Sequence, residues 1–343
     1  MTKIAINGFG RIGRVVFRAA LDRYAKGVEV VAINTSGSMD VDGWAHLLKY
    51  DSVYGKFDGE VAVIEAEGAA EIGRLKIDDR KYPVLAERNP ADIPWGEYKP
   101  DVVIESTGVF RDKAGAEKHL QAGAKKVIVS APPKSPEISM YLMGVNEKDY
   151  KNELIVSNGS CTTNCVAPIV KLFEDYYGIE EAVMTTIHAY TADQELVDGS
   201  HQDLRRARAA GVSIIPTSTG AAESVIALFP QLKDRFSGAA IRVPVACGSF
   251  TDFTFKLKQK ITINQVNRIF EDAAGGAMKG ILEIVYEPLV SSDIIGNPAS
   301  VVIDSAYTEV IRGDFIKVGA WYDNEWAYAC RLVELARFIA SKQ

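Results

Sequence analysis

No apolar run in the 343-residue sequence reaches the ~18 positions that a membrane-spanning helix needs. No basic block is longer than Arg205-Arg206-Ala207-Arg208, and the formal charge is −6 with a pI of about 5.5. A nucleic-acid-binding surface needs a basic footprint, so that class is not expected. Cysteine is scarce: Cys161, Cys165, Cys247 and Cys330 make no C-x-x-C pair. Zinc sites and thioredoxin-type redox chemistry are therefore not expected, and no metal site is read. No internal repeat or low-complexity segment is visible, and a composition near the globular average makes collagen, coiled coil and disorder poor fits. The N-terminus, Met1-Thr2-Lys3-Ile4-Ala5-Ile6-Asn7, runs into a glycine-rich turn before a signal-peptide core could form. The expected compartment is the cytoplasm.

Hydrophobic residues are 47% and charged residues 24%, the proportions of a folded globular chain. At ~150 residues per domain, this length predicts two domains or one large α/β unit. Short Val/Ile-rich runs alternate with helical stretches over the first 130 residues or so. Lys3–Asn7, Val28–Asn34, Asp101–Glu105 and Lys126–Ser130 are predicted strands, and Arg11–Tyr24 and Lys113–Ala122 predicted helices. Continuous apolar strands between helices indicate a parallel sheet covered on both faces. Glu60–Glu65 and Leu75–Tyr82 read as small extra strands. Leu154–Ser157 is a further strand, Asn158-Gly159-Ser160 a turn, and Cys161 opens a helix to about Tyr177.

Beyond that helix the texture changes. Ala182–His188, Ala240–Val245, Ser249–Lys258, Val301–Ile303 and Phe315–Tyr322 alternate as strands of an antiparallel or mixed sheet do. Ile263–Gly275 and Glu325–Ala340 read as helices. A boundary near 155–160 follows, with Cys161 at the junction.

Gly8-Phe9-Gly10-Arg11-Ile12-Gly13 is a G-x-G-x-x-G that follows a strand and opens a helix. In that context it is a dinucleotide fingerprint. Gly8, Gly10 and Gly13 permit the turn and the close approach of a pyrophosphate, and the Arg11 and Ile12 N–H groups point at the anion. The fold class is thus α/β, with a Rossmann-type parallel-sheet domain and an α+β catalytic domain carrying a mixed or antiparallel sheet. At the end of the second strand an acid usually bonds the adenosine ribose. Here Asn34-Thr35-Ser36 stands in its place, which removes the repulsion against a 2′-phosphate and makes NADP plausible beside NAD.

Ser160-Cys161-Thr162-Thr163-Asn164-Cys165 sits on a strand-to-helix turn. A thiol in the first turn of a helix feels the N-terminal dipole, which favours thiolate. Of the four histidines, His46, His119, His188 and His201, His188 ends a strand and is the best partner for a Cys/His pair. The other three cysteines read as small buried hydrophobes.

The residues now on the page resemble the phosphorylating glyceraldehyde-3-phosphate dehydrogenase family from end to end. The resemblance is carried by Asn7–Gly13, Lys49–Ser52, Ser106-Thr107-Gly108, Ser157–Cys165, Asp203–Arg208, Ile215–Ala222, Arg242-Val243-Pro244 and Trp321–Trp326. It implies Cys161 as nucleophile and His188 as its base. It implies Ser160, Thr162, Thr191, Arg206, Thr219, Gly220 and Arg242 at two sites, for substrate phosphate and for inorganic phosphate. Hydroxyls, backbone N–H groups and arginines suit both anions. A competing reading for Arg206 is a salt bridge between subunits. Arg11, Ile12, Asn34, Arg88, Ser130 and Asn324 match cofactor contacts, with Asn324 on the nicotinamide carboxamide. Thr35 and, from a neighbouring subunit, Ser200 match the NADP-using, plastid-like branch, so use of both NADP and NAD is expected.

Further implications are a small aldehyde phosphate and inorganic phosphate as partners, neither nucleic acid nor membrane, and a homotetramer. The expected domains are 1–160, completed by the C-terminal helix 325–343, and 161–324. Erythrose-4-phosphate dehydrogenase, or a non-catalytic scaffold of the same fold, is the alternative. Two departures stand out. Gly159 replaces the usual Ala, and Val245-Ala246-Cys247-Gly248-Ser249 replaces a more regular segment, a change expected to bear on the sheet interface rather than the chemistry.

Overall fold

The computed structural model describes residues 1–342, and the chain divides into two compact units. The first comprises Met1–Gly159 and the chain from Ala329 onward; the second is Ser160–Tyr328. The division falls inside the last helix, Trp326–Ala340.

The first unit is built on a nine-stranded sheet. From one edge, Ser139–Met140, Ile155–Ser157, Val127–Val129, Val102–Glu105, Thr2–Asn7, Val28–Asn34 and Arg80–Leu85 run parallel. Glu71–Ile77 and Val61–Ile64 then add antiparallel strands. Ile4, Ile6, Ile33, Val103 and Ile128 are fully buried, as strands covered on both faces require. The stretch Leu75–Tyr82 is not one strand. It straddles a hairpin in which Ile77 pairs with Arg80 and Asp78 adopts a left-handed φ of 51°. The apolar alternation continues through this two-residue Asp-Asp turn, which carries no glycine to mark it.

Lys126, only 5% exposed, holds the end of the last helix. Its ammonium donates to the Ile339 carbonyl at 2.7 Å and the Lys342 carbonyl at 3.2 Å, and to Asn152 Oδ1 at 2.6 Å. A cation there meets the unsatisfied carbonyls and negative dipole end of a helix C-terminus. Burial pulls its pKa below the ordinary lysine value.

The second unit is a mixed seven-stranded sheet in the order Ile215–Thr217, Phe236–Val243, Ile179–Ala189, Ser249–Leu257, Phe315–Tyr322, Val301–Ile311 and Leu282–Val285. Ile179–Ala189 pairs parallel with Phe236–Val243, and antiparallel with Ser249–Leu257. The helices Cys161–Tyr177 and Ile263–Gly275 pack on it through an aromatic core. Phe173 lies 4.8 Å from Phe255 and 5.7 Å from Phe270, ring centre to ring centre. Along Ile179–Ala189, Ala182, Met184, Thr186 and His188 alternate inward, onto the buried face. His188 is the register partner of Arg242 on the neighbouring parallel strand.

Replacing Lys126 with Met should lower the unfolding free energy by about 1–3 kcal/mol, because it strands helix-end carbonyls. Lys125→Met, which removes a surface pair with Asp101, should change it by less than about 0.5 kcal/mol. Urea unfolding of the two variants checks the contrast.

Candidate active site

Ser160 starts the helix Cys161–Tyr177 with a capping box. Its hydroxyl accepts from the Thr163 N–H at 3.0 Å, and Thr163 Oγ1 accepts from the Ser160 N–H at 3.3 Å. This places Cys161 in the first turn, with its side chain partly exposed. Cys161 Sγ lies 3.5 Å from His188 Nε2. The other ring nitrogen, Nδ1, donates to the Ala189 carbonyl at 2.7 Å. That bond puts a proton on Nδ1 and leaves Nε2 to exchange one with sulfur.

Arg242 NH1 donates to that same carbonyl and to Thr191 Oγ1, each at 3.1 Å. Its 3.1 Å approach to His188 Nδ1 joins two donors and is no hydrogen bond. Arg242 Nε is buried without a partner among the described residues, a donor still available to an anion. Burial pushes the Cys161 thiol up, while Arg242 and the Thr162 hydroxyl draw it back. Burial, and then Arg242, pull His188 down to about 3. Desolvation thus works against the thiolate that the helix terminus favours, which leaves the activating part to the base and the cation. Each group resists charge singly; passing one proton from Sγ to Nε2 keeps the pair neutral overall, and Arg242 favours the sulfur anion.

Behind the pair runs a buried hydroxyl chain that the sequence reading missed. Tyr322 OH bonds Thr162 Oγ1 at 3.0 Å and Thr186 Oγ1 at 2.9 Å, and its ring meets His188 edge-on at 6.0 Å. The available signal was parity: Thr186 stands two residues before His188 and so shares its face. Cys165 is fully buried one turn beyond Cys161.

Ser160, Thr162, Thr191 and Arg242 thus gather at the thiol. Arg206 is drawn elsewhere. It pairs with Asp193 through NH1, and donates to Thr217 Oγ1 at 3.0 Å and the Ser218 carbonyl at 3.2 Å. Gly220 precedes the helix Ala221–Leu228, and Thr219 Oγ1 accepts from the Ala221 N–H at 3.2 Å. Asn324 Oδ1 accepts from the Gly248 N–H at 3.1 Å and Ser249 Oγ at 3.0 Å, which fixes the direction of its amide. Cys247 Sγ, in turn, donates to Asp323 Oδ1 at 3.1 Å. The unusual Val245–Ser249 segment therefore bears directly on Asn324, contrary to its expected place at the sheet interface. At Gly248, where φ is +88°, a methyl would come 2.2 Å from the Ser291 carbonyl oxygen.

In the first unit, Gly8 has φ +94°, and a methyl on Gly13 would come 2.0 Å from the Gly8 carbonyl oxygen. Gly10 caps the helix Arg11–Asp22 without a side chain, and no atom lies within 4 Å of where its Cβ would be. The start of the helix at Gly10 is therefore uncrowded by side chains, as a turn that admits a pyrophosphate at a helix N-terminus requires. Arg11 NH1 pairs with Asp51 at 2.5 Å. Burial would raise the Asp51 carboxyl, but the Tyr54 N–H bond and Arg11 hold it below the usual range. The Ser130 N–H is bonded to the Glu105 carbonyl at 2.9 Å.

Two cofactor-selecting expectations change. Thr35 is buried, and its hydroxyl donates to the Leu85 carbonyl at 2.9 Å, so it is not a spare donor. The Asn34 amide is spent inside, donating to Asn7 Oδ1 at 2.7 Å and the Glu87 carbonyl at 2.8 Å. Ser36, Ser38, Glu87 and Arg88 are among the exposed groups here, with Arg88 Nε 3.3 Å from the Ser36 carbonyl. Ser200 is exposed within the second unit. Gly159 has φ +62°, a conformation that glycine adopts more readily than the usual Ala.

Cys161→Ser should abolish turnover and leave cofactor binding intact, whereas Cys165→Ser should keep activity. His188→Asn should slow single-turnover hydride transfer by ~10²–10⁴-fold. Removing the Arg242 cation in Arg242→Met raises the thiol pKa, so the half-maximal pH for Cys161 alkylation should move upward. An unmoved profile would remove Arg242 from the electrostatics of the thiol. For cofactor choice, Arg88→Ala should reduce kcat/KM for NADP ~10-fold more than for NAD, the loss of about one charge-assisted bond.

The profile described as "Glyceraldehyde 3-phosphate dehydrogenase, NAD binding domain" matches residues 2–113, and that described as "Glyceraldehyde 3-phosphate dehydrogenase, C-terminal domain" matches residues 160–324. A glyceraldehyde-3-phosphate dehydrogenase of Streptomyces coelicolor is 49% identical over 343 residues, covering 99% of each chain. Glyceraldehyde-3-phosphate dehydrogenase 2 of Synechocystis is 46% identical over 342 residues, again covering 99% of each. The chloroplastic glyceraldehyde-3-phosphate dehydrogenase B of Pisum sativum is 48% identical, over 99% of this chain and 74% of its own. With a thiol, an imidazole and an unpartnered guanidinium N–H in one unit and a glycine cradle in the other, the chain belongs to the glyceraldehyde-3-phosphate dehydrogenase family, whose cofactor is NAD or NADP.

Proposed function

We propose that the chain catalyses the reversible, phosphorylating oxidation of glyceraldehyde 3-phosphate to 1,3-bisphosphoglycerate. The observation that carries this reading is Cys161 Sγ at 3.5 Å from His188 Nε2, with Arg242 beside them. His188 takes the thiol proton and sulfur adds to the aldehyde carbon. The resulting oxyanion, stabilised by the Cys161 N–H and His188, receives the proton back. Bound NAD or NADP supplies the hydride acceptor. His188 removes the hydroxyl proton as the hydride leaves that carbon, and a thioester on Cys161 remains. Phosphate oxygen then attacks the acyl carbon, and Sγ departs as thiolate.

Arg242, Thr191 and the hydroxyls of Ser160 and Thr162 form one anion site in this reading; Arg206, Thr219 and Gly220 form the other. Arg206 must exchange Asp193 for phosphate. The first unit carries the dinucleotide in this reading, with Arg11, Ile12, Ser130 and Arg88 around it, while the second, which begins at Ser160 rather than at the expected 161, carries the chemistry. Four free cysteines suit a reducing cytoplasm. No helix among the described residues is long and apolar enough to cross a membrane.

The chain acts as a homotetramer in this reading. Leu196, Val197, Leu204, Val212 and Ile214 are each at least 70% exposed along one loop. Such a cluster favours burial against another subunit.

Initial rates with glyceraldehyde 3-phosphate plus phosphate should exceed those with erythrose 4-phosphate. The reverse order would assign the longer sugar, and no rate with either would leave a scaffold. Leu204→Asp combined with Val212→Asp should shift the sedimentation of the native assembly toward smaller species. An unchanged profile would place the subunit contact elsewhere.

A further inference from the structure

A buried polar set beneath the glycine turn takes no part in the chemistry above. Glu105 ends the strand Val102–Glu105 and is the register partner of Asn7, the residue before Gly8. Its Oε2 accepts from Asn7 Nδ2 and, at 2.9 Å, from His119 Nε2. Its Oε1 accepts from the Thr107 N–H at 2.8 Å and from the Thr107 hydroxyl. Trp95 Nε1 donates to His119 Nδ1 at 3.0 Å. That bond leaves the ring proton on Nε2, aimed at Glu105. Asn7, Glu105 and His119 are each at most 2% exposed.

Four neutral donors therefore converge on one carboxyl group. Only a carboxylate accepts at all four positions; an amide of the same shape would turn an NH₂ against two donors. The groups joined are those that shape the cradle. A methyl on Gly8 would lie 2.8 Å from Thr107 N and 2.9 Å from Thr107 Cγ2, so the Thr107 turn rests directly on Gly8. Thr107 Oγ1 also accepts from the Val109 N–H at 3.1 Å, and Gly108 turns the chain at φ +75°. The turn after Glu105 is thus tied down from both sides against the first glycine.

We propose that Glu105 is a positioning residue for dinucleotide binding: its carboxylate clamps the Thr107 turn to the Asn7–Gly8 strand end and sets the spacing of the two loops that receive the cofactor. His119, oriented by Trp95, holds the carboxylate in place. This rests on the cofactor reading of the glycine turn.

The test uses Glu105→Gln and Thr107→Val, which cut the clamp from opposite ends, with Gly13→Ala as a control on the cradle. Dissociation constants for NAD and NADP are measured by calorimetry, alongside KM for cofactor and aldehyde, the Cys161 alkylation rate without cofactor, and the unfolding midpoint. Both clamp variants should weaken NAD and NADP at least tenfold and raise the cofactor KM. The aldehyde KM and the alkylation rate should stay within twofold. A lowered unfolding midpoint with wild-type affinity would make the network structural only and overturn the proposal. If Glu105→Gln does not fold, Thr107→Val decides by the same criterion. Lost binding in Gly13→Ala with wild-type affinity in the clamp variants refutes the clamp and keeps the cradle. Wild-type affinity in Gly13→Ala refutes the cradle itself.

Discussion

One hydrogen bond orders the chemistry proposed for this protein: the one from His188 Nδ1 to the carbonyl of its own neighbour, Ala189. It decides which ring nitrogen faces the sulfur. A backbone carbonyl cannot change its role, so the nitrogen bound to it carries the proton and the other becomes the exchange partner of Cys161. Arg242 reinforces the choice by donating to the same carbonyl while its charge lies beside the imidazole. In the proposed reaction the sheet register that sets His188 opposite Arg242 is therefore part of the catalytic apparatus.

The two units handle buried charge differently. In the second, a thiol and an imidazole share a proton, and a nearby guanidinium biases where it sits. In the first, a carboxylate is met only by neutral donors, and the histidine facing it is set as the opposite tautomer by Trp95. His188 is arranged to pass a proton and His119 to hold one still. Both arrangements use a fixed donor or acceptor on the far side of the ring, the usual way to orient an imidazole.

Much of this was legible in the chain. The glycine fingerprint, the Val/Ile runs and the Ser160 cap each announce local structure through short-range rules, and the helix Cys161–Tyr177 matches its predicted span. His188 was legible because one strand ending in histidine accompanied one cysteine at a helix start. What escaped depends on distant partners. Nothing near Thr35 says that its hydroxyl turns to Leu85, or near Arg206 that Asp193 holds it. Tyr322 reaches Thr162 across 160 residues of chain. The Asp78-Asp79 turn escaped for a local reason: it bends without the glycine or asparagine that usually marks such turns.

The histidine ring nitrogens test the central claim most directly. With only four histidines in the chain, ¹⁵N labelling of that residue type alone permits assignment by single His→Gln replacements. His188 Nδ1 should be protonated at every pH at which the protein is folded, and only its Nε2 should respond to alkylation of Cys161. A bare Nδ1 with the proton on Nε2 would contradict the account, because the nitrogen facing the sulfur would then be unable to accept its proton.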